Sequence, residues 1–204
     1  MKTILSIASL VFCSIAVQAQ NNADLIIKNG KIIDGTGNSW YYGDVAVKDG
    51  KIIKAGRLND MQATKVIDAK GLIVAPGFID VHGHIEGGII NTPTANNYIF
   101  DGVTTVVTGN CGGSAGNIGS FLQEINQVRP SINVASLIGH NTVRSQVMNR
   151  DNRKPTSQEQ QKMDALVDQA MKEGAVGLST GLIYIPGTFA ETGEVISLAK
   201  AAAK

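Results

Sequence analysis

Short apolar runs separated by turn residues fill the chain from residue 20 to residue 75. In IKNGKII (27–33) and VKDGKII (47–53), an Asn-Gly or Asp-Gly pair stands between two apolar runs. Such pairs accept the positive φ angles of a two-residue type I′ turn, so each segment predicts a β-hairpin. The Pro-Gly pair at 76–77 then marks a boundary. Residues 20–75 are therefore predicted to form a small, sandwich-like β domain.

Beyond this boundary the pattern changes to buried strands that alternate with amphipathic helices. The predicted strands are 78–84, 103–113, 132–141 and 175–184, and the predicted helices lie within 94–102, 116–128, 157–174 and 189–204. In the helix at 157–174, apolar positions recur with helical spacing, and Gly174 ends it. Strands that alternate with helices imply a parallel sheet, so residues 76–204 are predicted to form an α/β domain.

The amino terminus has a pattern of its own. Lys2 precedes an apolar run, and small residues follow near Ala19, which is typical of a secretory signal peptide cut after that residue. We therefore expect residues 1–19 to be removed and the protein to be periplasmic or secreted. Cleavage would also remove Cys13 and leave Cys111 as the one cysteine, so no internal disulfide is expected.

Composition narrows the classes of partner. Of 204 residues, 43% are hydrophobic and 17% charged, with a net charge of +1. This is typical of a globular protein that can build a core. Nothing in this composition suggests a polyanionic partner such as nucleic acid or an acidic membrane surface. The oligomeric state is left open.

The residues that could bind a metal ion or a substrate follow the predicted strands. His82 and His84 come after the first, Cys111 after the second, His140 after the third and Tyr184 after the fourth. Parallel β/α folds place their chemistry at the carboxyl ends of strands, so one shared site is predicted.

The histidine pair is the first candidate for metal binding. Residues two apart on a strand point to the same side, so His82 and His84 are predicted to project together and to bind one metal ion. The alternative is a pair of polar residues at a strand end that bond to neighbouring loops.

Cys111, in GNCGG, adds a soft thiolate that suits zinc better than magnesium or calcium. Its alternatives are a nucleophile and a small buried apolar residue. A phosphate cradle is disfavoured, because the stretch around it matches neither GxxxxGK[ST] nor GxGxxG.

His140 and Tyr184 are candidates for substrate binding. His140 either contacts substrate, supports another group of the site or caps a strand end. Tyr184 either lines a pocket or packs as an ordinary aromatic side chain.

Four segments together resemble the amidohydrolase superfamily, and within it the N-acyl-D-amino-acid deacylases (D-aminoacylases). They are GLIVAPGFIDVHGH, DGVTTVVTGNCG, IGHNTVR and EGAVGLSTGLIYIPGTFAETGE. The first is shared across the superfamily, whereas the second and fourth are more specific to the deacylases. The similarity extends over essentially all of the chain that follows the signal sequence.

The resemblance implies a small β domain beside a (β/α)8 TIM-type barrel, and zinc-dependent hydrolysis of non-peptide C–N bonds. It implies one or two zinc ions, with His82, His84 and Cys111 as ligands and Tyr184 in the substrate pocket. The chain departs from the family pattern at Gly83, where Thr is more frequent, at Ile85, where an acidic residue is frequent, and at Asn141, where Gly is usual. These departures bear on substrate preference.

Two alternatives to a deacylase remain. Dihydroorotase-like and hydantoinase-like cyclic amidases carry a metal-bridging lysine at the end of the fourth strand, where this chain has Ser179 and Thr180. The other alternative is a non-catalytic scaffold that keeps the fold.

The length also leads to an expectation. The residues after 75 are about half of the roughly 250 that a complete barrel takes. The chain is therefore expected to be an amino-terminal fragment that contains the first half of the barrel. The general base and the later metal ligands would lie beyond Lys204, and the isolated chain would be inactive.

Overall fold

The computed structural model describes residues 22–204, so the predicted signal peptide lies outside the described residues. The chain divides into two compact units at the boundary between Pro76 and Gly77. Among the described residues, no helix combines the length and the apolar character that a bilayer crossing requires.

The first unit is one mixed sheet of five strands. They are β1 (Asn22–Ile32), β2 (Tyr41–Lys48), β3 (Lys51–Gly56), β4 (Gln62–Asp68) and β5 (Ile73–Val74). The order is β3-β2-β1-β4, with β5 also paired to β1. Strand β1 pairs antiparallel with β2 and parallel with β4 and β5. Four buried side chains, Ala23, Ile26, Ala46 and Leu58, form the core of this unit.

The two predicted hairpins have different outcomes. Asp49 and Gly50 have φ of 50° and 72° and join β2 to β3, so the second hairpin is confirmed. The first prediction is wrong, because β1 runs straight through Asn29 and Gly30 with an irregular register there. Asn29 has φ of 62°, its backbone N–H donates to Asp44 and its side chain donates to Asp68. The left-handed residue is thus held within one strand as a bulge.

The second unit alternates strands and helices, as predicted. The strands are β6 (Phe78–Asp80), β7 (Val103–Thr108), β8 (Asn133–Ser136), β9 (Ile138–Gly139) and β10 (Leu178–Ser179). Strands β6, β7 and β8 pair in parallel in that order, and β9 pairs in parallel with β10. The helices are α1 (Asn96–Ile99), α2 (Ile118–Val128), α3 (His140–Met148), α4 (Ser157–Lys172) and α5 (Thr192–Ala202), with a 3₁₀ turn at Gly187–Phe189.

Capping and packing explain the longest helix. The Thr156 side chain accepts from the Glu159 N–H, and the Glu159 carboxylate accepts from the Thr156 N–H, which forms a capping box. The buried face of α4 carries Met163, Val167 and Ala170, which pack in one core with residues of α3 and α5. A second core packs α2 beneath β7 and the segment that follows the histidines.

Of the fourth predicted strand, 175–184, only Leu178–Ser179 is a strand, and the third predicted strand also differs from the structure. It breaks at Leu137, whose N–H donates to Thr108 on β7, whereas the next N–H, of Ile138, donates to Gly177 beside β10. The chain thus passes from one parallel pair to the next within two residues. Helix α3 then begins at once with His140, a helix that the sequence reading did not predict.

Candidate metal centre

His82 and His84 lie in the loop after β6, not on the strand itself. The strand ends at Asp80, so the alternation used to predict a common direction does not apply to them. Nevertheless the two rings are close, with centroids 5.5 Å apart and planes inclined by 66°. Both side chains are exposed, so their ring nitrogens are accessible.

Cys111 stands just beyond β7 and faces the histidine loop. Its Sγ lies 3.3 Å from Nε2 of His82. One ligand atom each from His82, His84 and Cys111 can be chosen so that all three lie within 4.8 Å of one another. The structure therefore brings these three predicted residues together, from the ends of two adjacent parallel strands.

These residues fit a zinc ion by donor type and by spacing. Zinc binds imidazole nitrogen at about 2.0–2.1 Å and thiolate sulfur at about 2.3 Å in tetrahedral geometry, so neighbouring ligand atoms stand roughly 3.5 Å apart. The observed separation of Sγ and Nε2 is close to that spacing. Two imidazoles and one thiolate leave a fourth position of a tetrahedron open, as catalytic zinc sites require.

Hydrogen bonds to the backbone hold the histidine loop in place. Gly83, between the two histidines, donates from its N–H to the Val107 carbonyl of β7 at 2.9 Å. Its own carbonyl accepts from the Thr108 hydroxyl at 3.2 Å and from the Asn110 amide at 3.3 Å. The same Thr108 hydroxyl accepts from the N–H of Ile85 at 3.1 Å. Strand β7 thus fixes the backbone of both histidines.

Gly83 is also required by packing. A Cβ on this residue would lie 2.4 Å from Cγ1 of Val106, which is fully buried. The threonine that is more frequent in the resembling family would therefore require Val106 to move or to be smaller.

Hydrogen bonds from Ser179 on β10 and from Thr142 on α3 hold the loop that carries Cys111. Cys111 itself has φ of 55°, a conformation that costs energy for a residue with a Cβ. The Ser179 hydroxyl accepts from the N–H of Gly112 at 3.0 Å and donates to the Gly109 carbonyl, so it bridges the two sides of Cys111. The Gly112 carbonyl accepts from the N–H of Thr142. These bonds maintain the strained conformation that presents the thiol.

Tyr184 lies in the loop after β10 and is 54% exposed. A Cβ built on Gly181 would stand 3.0 Å from the Tyr184 ring and 2.1 Å from the Cys111 carbonyl oxygen. The tyrosine ring and the Cys111 loop therefore flank the same glycine. Its role in substrate binding stays a prediction.

His140 is placed apart from the metal candidates. It is fully buried at the start of α3, and its Nε2 lies 2.8 Å from the Glu194 carboxylate. The other oxygen of Glu194 accepts from the fully buried guanidinium of Arg144. A second Arg144 nitrogen donates to the Arg153 carbonyl at 2.7 Å. We call His140, Arg144 and Glu194 the buried trio.

The two cationic partners in the buried trio determine the direction in which the pKa of Glu194 shifts. Burial alone would raise the pKa of Glu194, but hydrogen bonds from His140 and Arg144, together with their charges, lower it below its ordinary value. Glu194 therefore stays ionised in the folded state. Its N-terminal position in α5 is also favourable for a negative charge.

Several residues that position the site were not predicted from the sequence. Thr108 and Asn110 lie in the segment VTTVVTGNCG, but no local pattern distinguishes a hydroxyl that bonds across strands from one that faces solvent. Arg144 and Glu194 are separated by fifty residues of sequence, and they meet only because α3 and α5 both pack against α4 in the folded chain.

Comparison with known proteins shows the family of the chain. Residues 65–203 match the model of a family described as the amidohydrolase family, and the chain belongs to that family. It is 36% identical over 203 residues to N-acyl-D-aspartate deacylase of Alcaligenes xylosoxydans xylosoxydans, an alignment that covers 88% of this chain and 41% of that protein.

Solved structures resemble the described fold over the same extent. N-acyl-D-glutamate deacylase of Bordetella bronchiseptica, complexed with zinc and a phosphonate inhibitor, matches at TM-score 0.85 and 40% identity, over 89% of this chain and 43% of that one. A D-aminoacylase crystal structure matches at TM-score 0.83 and 34% identity, over 88% and 43%. The mixed α/β fold is thus confirmed, and the chain spans about two fifths of the length of these relatives.

Proposed function

We propose that the complete protein is a zinc-dependent hydrolase of non-peptide C–N bonds that removes the acyl group from N-acyl-D-amino acids. The observation that carries the proposal is the convergence of His82, His84 and Cys111 within 4.8 Å on two parallel strand ends. The N-acyl-D-amino-acid deacylases similar to this chain support the choice of substrate class.

We propose further that residues 76–204 are the first half of a (β/α)8 barrel, that residues 20–75 are the accompanying β domain, and that residues 1–19 direct export. The parallel order β6-β7-β8 and the pair β9-β10 support the barrel. Amino-terminal sequencing of the mature protein tests export, with Gln20 expected as the first residue.

The chain's own groups have distinct roles in this proposal. His82, His84 and Cys111 would hold one or two zinc ions, and zinc would supply an acidified water and polarise the scissile carbonyl. Thr108, through Gly83, keeps the histidine loop in register with β7. Tyr184 would contact the substrate from the loop after β10. No residue among 22–204 is assigned as the general base.

His140 has a more limited role than a direct substrate contact. Its fully buried ring is bonded to Glu194, so we propose that it supports the start of α3. Through the adjacent Asn141, it would also support the loop after β10 that carries Tyr184. The Asn141 side chain donates to the Gly181 carbonyl, beside Tyr184.

The test uses the complete gene product loaded with zinc. We expect hydrolysis of N-acetyl-D-amino acids, little or no hydrolysis of the L enantiomers, and loss of activity in Cys111→Ala. Turnover of hydantoin or dihydroorotate without turnover of any N-acyl-D-amino acid would instead identify a cyclic amidase. Ser179 argues against that outcome, since its buried hydroxyl occupies the strand end where those enzymes carry a lysine.

A non-catalytic scaffold would bind zinc and hydrolyse neither class of substrate. The same assay therefore separates all three functions.

A further inference from the structure

Residues 181–187, in the loop after β10, place Tyr184 between two glycines, and we call them the Tyr184 loop. The four consecutive side chains of residues 182–185 are each at least 49% exposed. The loop therefore has little packing of its own to fix its position. A substrate contact from Tyr184 requires that another part of the chain hold this loop in place.

One side chain, that of Asn141 at the start of α3, contacts both ends of the Tyr184 loop. Its Nδ2 donates to the Gly181 carbonyl at 3.3 Å. At the other end, a Cβ built on Gly187 would lie 2.1 Å from Oδ1 of Asn141, so the glycine backbone packs directly on the amide. Among the described residues, the bond from Asn141 is the only hydrogen bond that reaches residues 181–187 from outside the segment 181–190.

The same amide also packs against the Cys111 loop. A Cβ built on Gly112 would lie 2.8 Å from Cγ of Asn141 and 2.9 Å from the backbone nitrogen of Gly181. The backbones of Gly112, Gly181 and Gly187 thus close around one side chain. Gly181 and Gly187 have φ outside the left-handed region, so close contact, and not backbone conformation, excludes a larger residue at both positions.

The start of α3 is fixed to the Cys111 loop on both sides of Asn141. The N–H of the next residue, Thr142, donates to the Gly112 carbonyl at 3.1 Å, and the Thr142 hydroxyl accepts from the N–H of Ser114 at 2.9 Å. The preceding residue belongs to the buried trio. Asn141 itself is buried, with 8% of its surface exposed. The start of α3 and the Cys111 loop are therefore held together, and the Asn141 amide reaches from them to the opposite loop.

We propose that Asn141 is a positioning residue, which holds the Tyr184 loop on the Cys111 loop and so fixes the place of Tyr184 relative to the proposed zinc site. This inference rests on the proposed function and adds what the substrate contact of Tyr184 depends on. The orientation of the amide follows from its partner, because an oxygen in place of Nδ2 would be repelled by the Gly181 carbonyl. Among the described residues, Oδ1 of Asn141 has no hydrogen-bond donor, so the bond to the Tyr184 loop is the one that this amide makes.

Asn141→Ala removes this hydrogen bond and the contact with Gly187. It does not weaken α3, because alanine has a higher helix propensity than asparagine. Asn126→Ala is the matched control, since Asn126 lies on α2 and is exposed. Each variant removes one asparagine side chain from a helix, but only Asn141→Ala alters a contact with the Tyr184 loop.

The first experiment measures amide hydrogen exchange in the complete gene product with zinc bound. The N–H of Tyr184 donates to Gly181 and the N–H of Thr188 donates to Tyr184, so their exchange reports opening of the loop. Loss of one hydrogen bond changes such an opening equilibrium about fivefold, so we expect about fivefold faster exchange at both N–H groups in Asn141→Ala. Exchange in α4 should not change, and Asn126→Ala should match the wild type at Tyr184 and Thr188.

Zinc affinity is measured on the same samples. It should not change in Asn141→Ala, because the bonds from Ser179 and Thr142 still hold the Cys111 loop. Unchanged exchange at Tyr184 and Thr188, or an equal acceleration in α4, would overturn the proposal.

The second experiment follows hydrolysis of N-acetyl-D-amino acids in a double-mutant cycle. Asn141→Ala and Tyr184→Ala are each expected to raise KM about tenfold with a smaller change in kcat, because both weaken the hold on the substrate and leave the zinc ligands intact. If Asn141 acts through Tyr184, adding Asn141→Ala to Tyr184→Ala has little further effect. A rise in KM of the full size in the double variant would overturn the proposal. If no N-acyl-D-amino acid is hydrolysed while exchange in the Tyr184 loop still depends on Asn141, the deacylase proposal fails and the positioning role of Asn141 stands.

Discussion

Two clusters in the second unit use similar residues in opposite ways. His82, His84 and Cys111 form an open cluster, in which three ligand atoms converge and both histidines are exposed. The buried trio of His140, Arg144 and Glu194 has almost no exposed side-chain surface. Both clusters follow the ends of parallel strands, so position in the fold alone does not distinguish them.

Charge compensation distinguishes the two clusters. In the buried trio, one carboxylate lies between an arginine and a histidine, so its charge is neutralised within the protein. The open cluster brings together three donors that each bind metals, and the separation of Cys111 Sγ from His82 Nε2 is close to the spacing of ligand atoms around zinc. We infer that the open cluster is built for an external cation and that the buried trio is built for stability.

The largest expected effect comes from removal of Glu194. Glu194→Ala would leave the buried Arg144 guanidinium without its partner, and breaking a buried ion pair in this way costs about 3–5 kcal/mol of unfolding free energy. Urea denaturation of the complete gene product measures it. Asp168→Ala is the control, because Asp168 pairs with the exposed Lys172 on the surface of α4. An equal effect of the two substitutions would contradict a structural role for the trio.

Removal of His84 should affect metal binding instead of folding. We expect His84→Ala to weaken zinc binding on the order of 100-fold, because each ligand contributes a share of the binding free energy. The unfolding free energy of the metal-free protein should stay close to that of the wild type, since the side chain is exposed. Competition with a chelating dye measures affinity. His140→Ala should show the reverse, with lower stability and zinc affinity nearly unchanged.

Ser179 tests whether the conformation of the Cys111 loop matters. Without its hydroxyl, the bonds to Gly112 and Gly109 are lost and the strained Cys111 is less firmly held. We expect Ser179→Ala to weaken zinc binding about tenfold, as loss of supporting contacts around a ligand commonly does. Ser197→Ala, which removes a hydroxyl bonded to Asp164 on α4, should leave zinc affinity unchanged.

The smallest effect concerns acid stability. The pKa of Glu194 is lowered in the folded state, so its ionised form stabilises the fold above the ordinary glutamate pKa, and this contribution is lost as pH falls through the lowered value. Glu194→Gln should therefore lose stability at neutral pH but show a shallower further decrease below about pH 4.5. Thermal unfolding from pH 7 to pH 3 measures the slope, and an unchanged slope would refute the assignment.

Much of this organisation could be predicted from sequence. Helix α4 has its cap, its apolar spacing and its terminating glycine within one segment, and the prediction is confirmed. The pairing of His82 with His84 was predicted for a reason that the structure contradicts, since β6 ends before them. Their proximity instead depends on Thr108, at the end of β7, and Asn110, just beyond it, which both donate to the Gly83 carbonyl.

The first hairpin was wrongly predicted and helix α3 was not predicted, and both errors have the same physical cause. Asn29 and Asp49 both have positive φ and both precede glycine, yet one forms a bulge and the other a turn. Asn29 is bonded to Asp44 and Asp68, whereas the N–H of Asp49 donates to Asp24, and all three partners are distant in sequence. Helix α3 was missed for a similar reason, because the buried trio that stabilises its first turns includes Glu194 from α5.

X-ray absorption at the zinc edge tests the central claim most directly. The complete gene product is loaded with zinc, and the wild type is compared with Cys111→Ala. We predict a sulfur neighbour at about 2.3 Å together with nitrogen neighbours at about 2.0–2.1 Å in the wild type, and loss of the sulfur in the variant. A zinc ion with no sulfur neighbour in the wild type, or with an unchanged sulfur neighbour in Cys111→Ala, would contradict the account.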